Sequence, residues 1–199
     1  MPGTVIGTQM NAGYAGQFSD NGDNITENKP VTSGTYTGNI NFGDAVVLIG
    51  DSTGGTFAQA AAFIAAGGTF AMLSSGAALF AGFASRQVKQ QLSISAFGGA
   101  QSANNQLGYY IAGNPCDVLV RGSIMAGNFY AKSGNPAPVA GGPVYFRVSV
   151  NGAGTFVGAL ETAADGAHTV QITNCFWRTG IVDTVNGTIE VTLVVRNIP

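Results

Sequence analysis

The sequence predicts an all-β protein, with one β-sandwich or jelly-roll-like domain, an extended N-terminal arm and long loops. Glycine accounts for 30 of the 199 residues, which suits tight turns between short strands. Short apolar or alternating stretches recur about every 8–15 residues, a spacing typical of sandwiches and barrels. No segment carries three turns of helical periodicity with caps, which argues against a helical bundle.

The N-terminal segment differs from the rest of the chain. Residues 1–40 are polar, rich in glycine and weakly periodic, so we expect an extended arm with its clearest turn at 20–24. Such arms commonly gain their order on neighbouring subunits. Residues 41–199 are then the single β-sandwich domain.

The first half of this domain has few strand signals. The continuous apolar run Ala45–Ile49 predicts a strand that is covered on both faces. Two more candidate strands lie at 78–84 and 88–94. Long inserted loops are expected at about 52–77 and 93–107.

The second half has clearer signals. Residues 117–121 predict a strand, and strict alternation over 144–150 predicts a half-buried strand. The turn Asn151–Gly154 then leads into Thr155–Val157, which is the strongest hairpin signal in the chain. The remaining predicted strands lie at 170–172 and 189–196.

The scarcity of charge points to an assembly. Only 18 residues are charged, 8 basic and 10 acidic, and none lies in the run 52–85. Ordinary soluble domains are about 25 % charged, and a surface this poor in charge tends to associate. We therefore expect a subunit covered by other chains. The net charge of −2 and the lack of a basic stripe argue against nucleic-acid binding.

The uncharged segment Phe57–Ala84 is long enough to cross a membrane, but its composition argues against a span. It is rich in alanine and is interrupted by Gly67–Gly68 and Ser74–Gly76, and no basic or aromatic flank brackets it. We expect buried strands instead, with a short helical turn at Gln59–Ala66.

No constellation for catalysis, a cofactor or a metal is evident. The one histidine, His168, follows Asp165 by three residues and has no second ligand pair nearby. The acidic turn at 20–27 lacks the spacing of a calcium loop. Cys116 and Cys175 leave open either a disulfide or two buried thiols. We expect a protein without enzymatic activity.

A series of short motifs resembles, in order and spacing, the cement (head decoration) proteins of tailed phages. The series covers the chain from about residue 11 to its end. The motifs are Gly13–Gln17 (GYAGQ), Ile40–Val47 (INFGDAVV), Phe80–Ala84 (FAGFA), Val118–Ile124 (VLVRGSI), Gly142–Tyr145 (GPVY), Gly154–Phe156 (GTF) and Asn174–Thr179 (NCFWRT).

The resemblance implies a structural role on the virion. Proteins of this kind bind the outside of an assembled capsid and bridge neighbouring major capsid subunits of the HK97-like fold. They act as dimers or other small oligomers, without cofactors, direct nucleic-acid contacts or membranes. The implied location is the outer capsid surface, and the host cytoplasm during assembly.

Three groups of residues are candidates for intersubunit contact. The arm comes first, the uncharged segment second, and a Trp–Arg pair third because these residue types are enriched at binding hot spots. For each group, the alternative is a role in the core or in a turn. The candidates are Tyr14, Gln17 and Phe18; Phe63, Phe70 and Phe80; and Trp177 with Arg178.

Two other functions stay open at this stage. One is another virion component, such as a head-fibre, tail or receptor-binding protein, for which we would expect exposed aromatic platforms and repeats. The other is a secreted β-sandwich adhesin. Residues 1–4 show no basic region followed by an apolar run, so we expect no secretory signal there.

Overall fold

The computed structural model describes residues 14–19, 24–33, 39–50, 54–68, 78–86, 109–184 and 186–194. The strand predicted at 88–94, the inserted loop at 93–107 and most of the turn at 20–24 lie outside these ranges.

The described residues form eleven strands, one short helix and one 3₁₀ turn. In chain order the elements are β1 (Ile25–Pro30), β2 (Ile40–Asn41), β3 (Ala45–Ile49), β4 (Thr56–Gln59), α1 (Ala60–Ala65), β5 (Ala78–Ala84), β6 (Tyr109–Tyr110), β7 (Pro115–Ala126), β8 (Pro143–Arg147), β9 (Leu160–Glu161), the 3₁₀ turn (Gly166–His168), β10 (Thr169–Asp183) and β11 (Thr188–Leu193).

Nine of these strands join in one antiparallel sheet. Eight of them follow the order β4-β3-β5-β7-β11-β10-β8-β9. The ninth strand, β1, also pairs with β7. Strands β2 and β6 form a separate pair. The all-β prediction is confirmed, whereas the jelly-roll connectivity stays a prediction.

Strand β7 connects the two parts of the sheet. Its first half pairs with β1 and β5, and its second half pairs with β11. Gly122 lies between the halves with φ +121°, and a Cβ there would lie 2.0 Å from the side-chain oxygen of Asn24. Only glycine fits this point, where the strand changes its pairing partners.

The main core lies between the two parts of the sheet. It combines side chains of β3, β5 and β7 with those of β8, β10 and β11, including Phe80, Leu119, Phe146 and Trp177. A second cluster covers the other face of β3, β5 and β7, where the β2–β6 pair contributes Ile40. The run Ala45–Ile49 is therefore covered on both faces, as predicted.

The segment predicted as a loop at 52–77 contains β4 and α1 in its described part. The short helix that the sequence predicted at 59–66 is confirmed as α1, which buries Phe63 and is followed by Gly67 at φ +88°. In the described ranges, no helix is long and apolar enough to cross a membrane.

The structure differs from the hairpin predicted between 144–150 and 155–157. Strand β8 ends at Arg147 and pairs with β9 instead of with 155–157, so the predicted return strand is wrong. Thr155 folds back onto the turn, where its hydroxyl donates to the carbonyl oxygen of Gly152 at 2.9 Å.

Part of the predicted arm belongs to the sheet. Strand β1 runs antiparallel to β7, with Asn28 opposite Asp117, and Val31 after it is buried. Upstream, Phe18 forms an isolated antiparallel bridge with Ile124 of β7. The boundary predicted at residue 40 stays a prediction, but the described residues before it are attached to the sheet.

Candidate interaction surface

Three predicted contact residues, Tyr14, Gln17 and Phe18, lie together on the surface. The amide of Gln17 donates to the carbonyl oxygen of Tyr14 at 3.0 Å, and its side-chain Oε1 accepts from the Tyr14 amide at 3.2 Å. Tyr14 is 65 % exposed and Phe18 is 37 % exposed. We call these three residues and Arg86 the N-terminal patch.

Three glycines whose backbones lie in close contact hold the N-terminal patch against the sheet. We call this contact of Gly16, Gly43 and Gly127 the glycine crossing. The amide of Gly127 donates to the carbonyl oxygen of Gly43 at 3.0 Å, and that of Gly16 donates to Met125 at 2.7 Å. A Cβ on Gly43 would lie 2.7 Å from the Gly127 nitrogen, and one on Gly16 would lie 2.8 Å from the Phe42 Cβ. Backbone segments this close admit no side chain, so the patch has a rigid base.

Arg86 completes the N-terminal patch. Its guanidinium carbon lies 5.0 Å from the centre of the Tyr14 ring, a cation–π contact. Its amide donates to the carbonyl oxygen of Gly16 at 2.7 Å, which attaches the end of β5 to the glycine crossing. Arg86 was not among the predicted contact residues, although it is the first charge after the uncharged run 52–85.

A buried carboxylate, Asp44, supports the same region. It accepts hydrogen bonds from the Asn41 amide at 2.8 Å, from the Asn128 side chain at 2.8 Å and from Gln59. Burial raises the pKa of Asp44, while these hydrogen bonds oppose the rise. This carboxylate joins the β2–β3 turn to β4 and to the residue that follows Gly127.

Three other predicted contact residues lie in the core of the chain. Phe63 and Phe80 are buried, and the Phe80 ring meets Phe83 edge to face at 5.5 Å. Trp177 is 1 % exposed and meets Phe129 at 5.7 Å. They fill the core of this subunit, so they do not join the surface formed by Tyr14, Gln17 and Phe18.

The remaining described candidate is Arg178. Arg178 lies on β10, and its Nε is 3.3 Å from Oε1 of Glu190 on β11. This is a partly exposed cross-strand ion pair. Phe70 lies outside the described residues.

A second apolar surface occupies the loops beyond β7 and β10. A half-open groove of about 580 Å³ lies between residues 129–138 and the β10–β11 turn. Phe156 meets Tyr130 at 5.8 Å on this side and is 40 % exposed. The surface was not predicted, because its residues come from three separate turns.

An ion cluster around the buried Arg147–Glu161 pair links these loops. The Arg147 Nε donates to Glu161, and its Nη2 donates to Oε2 of Glu161 at 3.1 Å and to Oδ2 of Asp165 at 2.7 Å. Lys132 Nζ reaches the same Asp165 oxygen at 2.6 Å. Hydrogen bonds from Lys132 and Arg147 lower the pKa of Asp165 to about 2. The Arg147–Glu161 contact joins β8 to β9, the strand that takes the place predicted for 155–157.

The one histidine is part of a polar contact within the loops. Its Nδ1 lies 2.7 Å from the hydroxyl oxygen of Ser149, whereas the Asp165 carboxylate is directed at Lys132 and Arg147. Asp165, the carboxylate nearest to His168 in sequence, therefore binds these two cations and does not orient the imidazole for base chemistry. Within the described ranges, no group of three or more potential ligand side chains is placed to hold a metal.

Both cysteines are free and buried. Cys116 lies in the second apolar cluster and Cys175 in the main core. Burial raises the pKa of both thiols well above the usual range. Of the two alternatives left open by the sequence, the structure contains the buried thiols.

Comparisons with known proteins return a family and a structure of similar fold. The sequence profile of a family described as structural cement protein (E217 gp24/Pam3 gp6) matches residues 1–194. A chain from a solved structure entitled "The capsid of Myoviridae Phage XM1" has a similar fold, with a TM-score of 0.52, 12 % identity and 98 % of each chain covered. A search of curated proteins found no match.

Proposed function

The chain belongs to the family of phage structural cement proteins, and from this premise we propose that it binds the outside of an assembled capsid and cements neighbouring major capsid subunits. Family membership makes the chain a virion structural protein that associates with capsid proteins. The proposal adds that its partner has the HK97-like fold, that it binds as a dimer or small oligomer, and that it performs no chemistry.

The N-terminal patch is the observation that supports this proposal most. Tyr14 and Phe18 are large, exposed and held on a glycine crossing that cannot shift without breaking hydrogen bonds. A contact surface that is already ordered loses little conformational entropy on binding. We therefore propose Tyr14, Gln17 and Phe18 as residues that contact the capsid.

Cementing follows from preferential binding. A protein that binds only the assembled, mature shell stabilises that state by mass action. Many symmetry-related copies, each bridging two subunits, add avidity without any new type of contact. The proposed result is a head that resists the internal pressure of packaged DNA. The protein would fold in the host cytoplasm and reside on the outer surface of the virion.

Cosedimentation tests the proposal. We expect purified protein to bind mature, undecorated capsids of its source virus saturably, at a fixed ratio to the major subunit, and to raise the thermal stability of the particle. Unexpanded shells run alongside show whether maturation is required. No binding to either shell would contradict the proposal and favour a tail, head-fibre or receptor-binding role.

Matched variants locate the contact. We expect a Tyr14→Ala, Phe18→Ala double variant to bind mature capsids at least about tenfold more weakly, because truncated aromatic anchors dominate interface energies. Phe156→Ala is the control, since it removes an exposed aromatic side chain that packs on Tyr130 of the groove. The opposite pattern, with binding lost only in the Phe156 variant, would move the contact to the groove beside Tyr130.

A further inference from the structure

We propose that the N-terminal patch docks onto an acidic site, and that Arg86 pairs there with a carboxylate of the capsid protein. This inference rests on the proposed function and names the chemistry of the contact.

The charge of Arg86 has no acidic partner within the described part of the chain. Its side-chain contact there is the Tyr14 ring, at 5.0 Å. Two acidic residues bond through their backbones to the end of β5. The carbonyl oxygen of Asp44 accepts from the Ala84 amide, and that of Asp117 accepts from the Ser85 amide. Both are buried and accept hydrogen bonds from amide side chains, and Asn28 donates to Asp117 at 2.5 Å. The neighbouring acids are therefore turned inward, away from Arg86.

The rest of the N-terminal patch is neutral. Tyr14, Gln17 and Phe18 carry no charge, and the chain that leads to Arg86 is uncharged from 52 to 85. A partner that covers this patch removes Arg86 from water. Burying an unpaired guanidinium is costly, so a stable complex must supply an anion at that point.

The guanidinium of Arg86 suits a carboxylate in particular. A guanidinium presents a planar fork of N–H donors that matches the two oxygens of a carboxylate. The contact with the Tyr14 ring also restrains a long side chain before binding. A single cation without a basic stripe does not suit a phosphate backbone, so the expected acceptor is an Asp or Glu side chain.

Charge variants of Arg86 test this inference by cosedimentation with mature, undecorated capsids at low and high salt. We expect Arg86→Gln to weaken binding about tenfold and to flatten its salt dependence. Arg86→Glu should bind more weakly still, because two carboxylates would face each other. Arg86→Lys should fall between wild type and Arg86→Gln. Arg178→Gln is the matched control, since Arg178 pairs with Glu190 on another part of the sheet.

The outcomes separate the two proposals. Equal binding by Arg86→Gln and Arg86→Glu, or Arg86→Gln binding as tightly as wild type, would overturn the acidic partner and leave the cement role intact. No binding by the wild-type protein would overturn both. Thermal unfolding of each variant checks the fold, and Arg86→Lys keeps the charge should the others unfold.

Discussion

Replacing Gly43 by alanine should loosen the glycine crossing and, with it, the N-terminal patch. The φ of Gly43 is +80°, a conformation that L side chains rarely adopt. The new Cβ would lie 2.7 Å from the Gly127 nitrogen and 3.0 Å from the Ala15 Cβ. Neither backbone can retreat without losing the hydrogen bonds that attach residues 14–19 to β7.

The expected loss has two parts. The left-handed conformation costs an alanine about 1–2 kcal/mol, and forcing a methyl group into a packed contact adds about 1–3 kcal/mol. Gly67→Ala is the matched control, because Gly67 has a similar φ of +88° and a Cβ added there would meet no atom within 4 Å. The control should lose only the conformational part, about 1–2 kcal/mol.

Equilibrium unfolding in urea measures both free energies, and capsid cosedimentation measures the effect on the N-terminal patch. We expect Gly43→Ala to unfold more easily than Gly67→Ala by about 1–3 kcal/mol, the cost of the contact alone. It should also bind capsids more weakly under conditions in which it is still folded. Equal losses of stability, together with unchanged binding by Gly43→Ala, would refute the role given to the crossing.

Three further predictions concern the ion cluster and the cysteines. Arg147→Met should lower the unfolding free energy by about 3–5 kcal/mol, because it leaves Glu161 buried without its cation. Urea unfolding of an Arg147→Met, Glu161→Gln double variant should show that part of this loss is recovered. No recovery would contradict the ion-pair explanation. Cys116 and Cys175 should resist alkylation in the native protein and react only on unfolding, as mass spectrometry would show; fast native labelling would contradict their burial. The pKa of Asp165 in the folded protein is lowered to about 2. Its contribution to the free energy of unfolding is therefore present above about pH 4 and is lost as the pH falls towards 2. Unfolding free energies measured across this range should fall more steeply for wild type than for Asp165→Asn, and equal slopes would contradict the assignment.

Much of the fold follows from local patterns. The run 45–49 became β3 with the predicted bounds, 78–84 became β5, and α1 lies inside the predicted helical turn. These segments are read correctly because burial on both faces, or a short alanine-rich stretch before two glycines, leaves a local pattern.

Other features depend on contacts between distant residues. Strand β9 pairs with β8, where Leu160 packs in the core and Glu161 meets Arg147, and no pattern near these residues predicts that pairing. The sequence indicated a hairpin that returns at 155–157, where the local signal is stronger. Tertiary contacts, and not the local signal, accompany the observed pairing.

The candidate contact residues show the same limit. Composition identifies aromatic residues as either core or interface, but it does not tell which face of a strand they occupy. Tyr14 and Phe18 lie on the surface, whereas Phe80 and Trp177 fill the core. The pairing of Tyr14 with Arg86 joins the N-terminal segment to the end of β5, so only the folded chain reveals it.

The pairing pattern of β7 determines how the protein is expected to unfold. This one strand supplies hydrogen bonds to β1, β5 and β11, and residues 16–19 attach to its far end. Neither part of the sheet can therefore detach while the other survives. Heat or denaturant should remove the whole domain in one cooperative step. On a virion, the described sheet of each copy would then be either intact or fully unfolded.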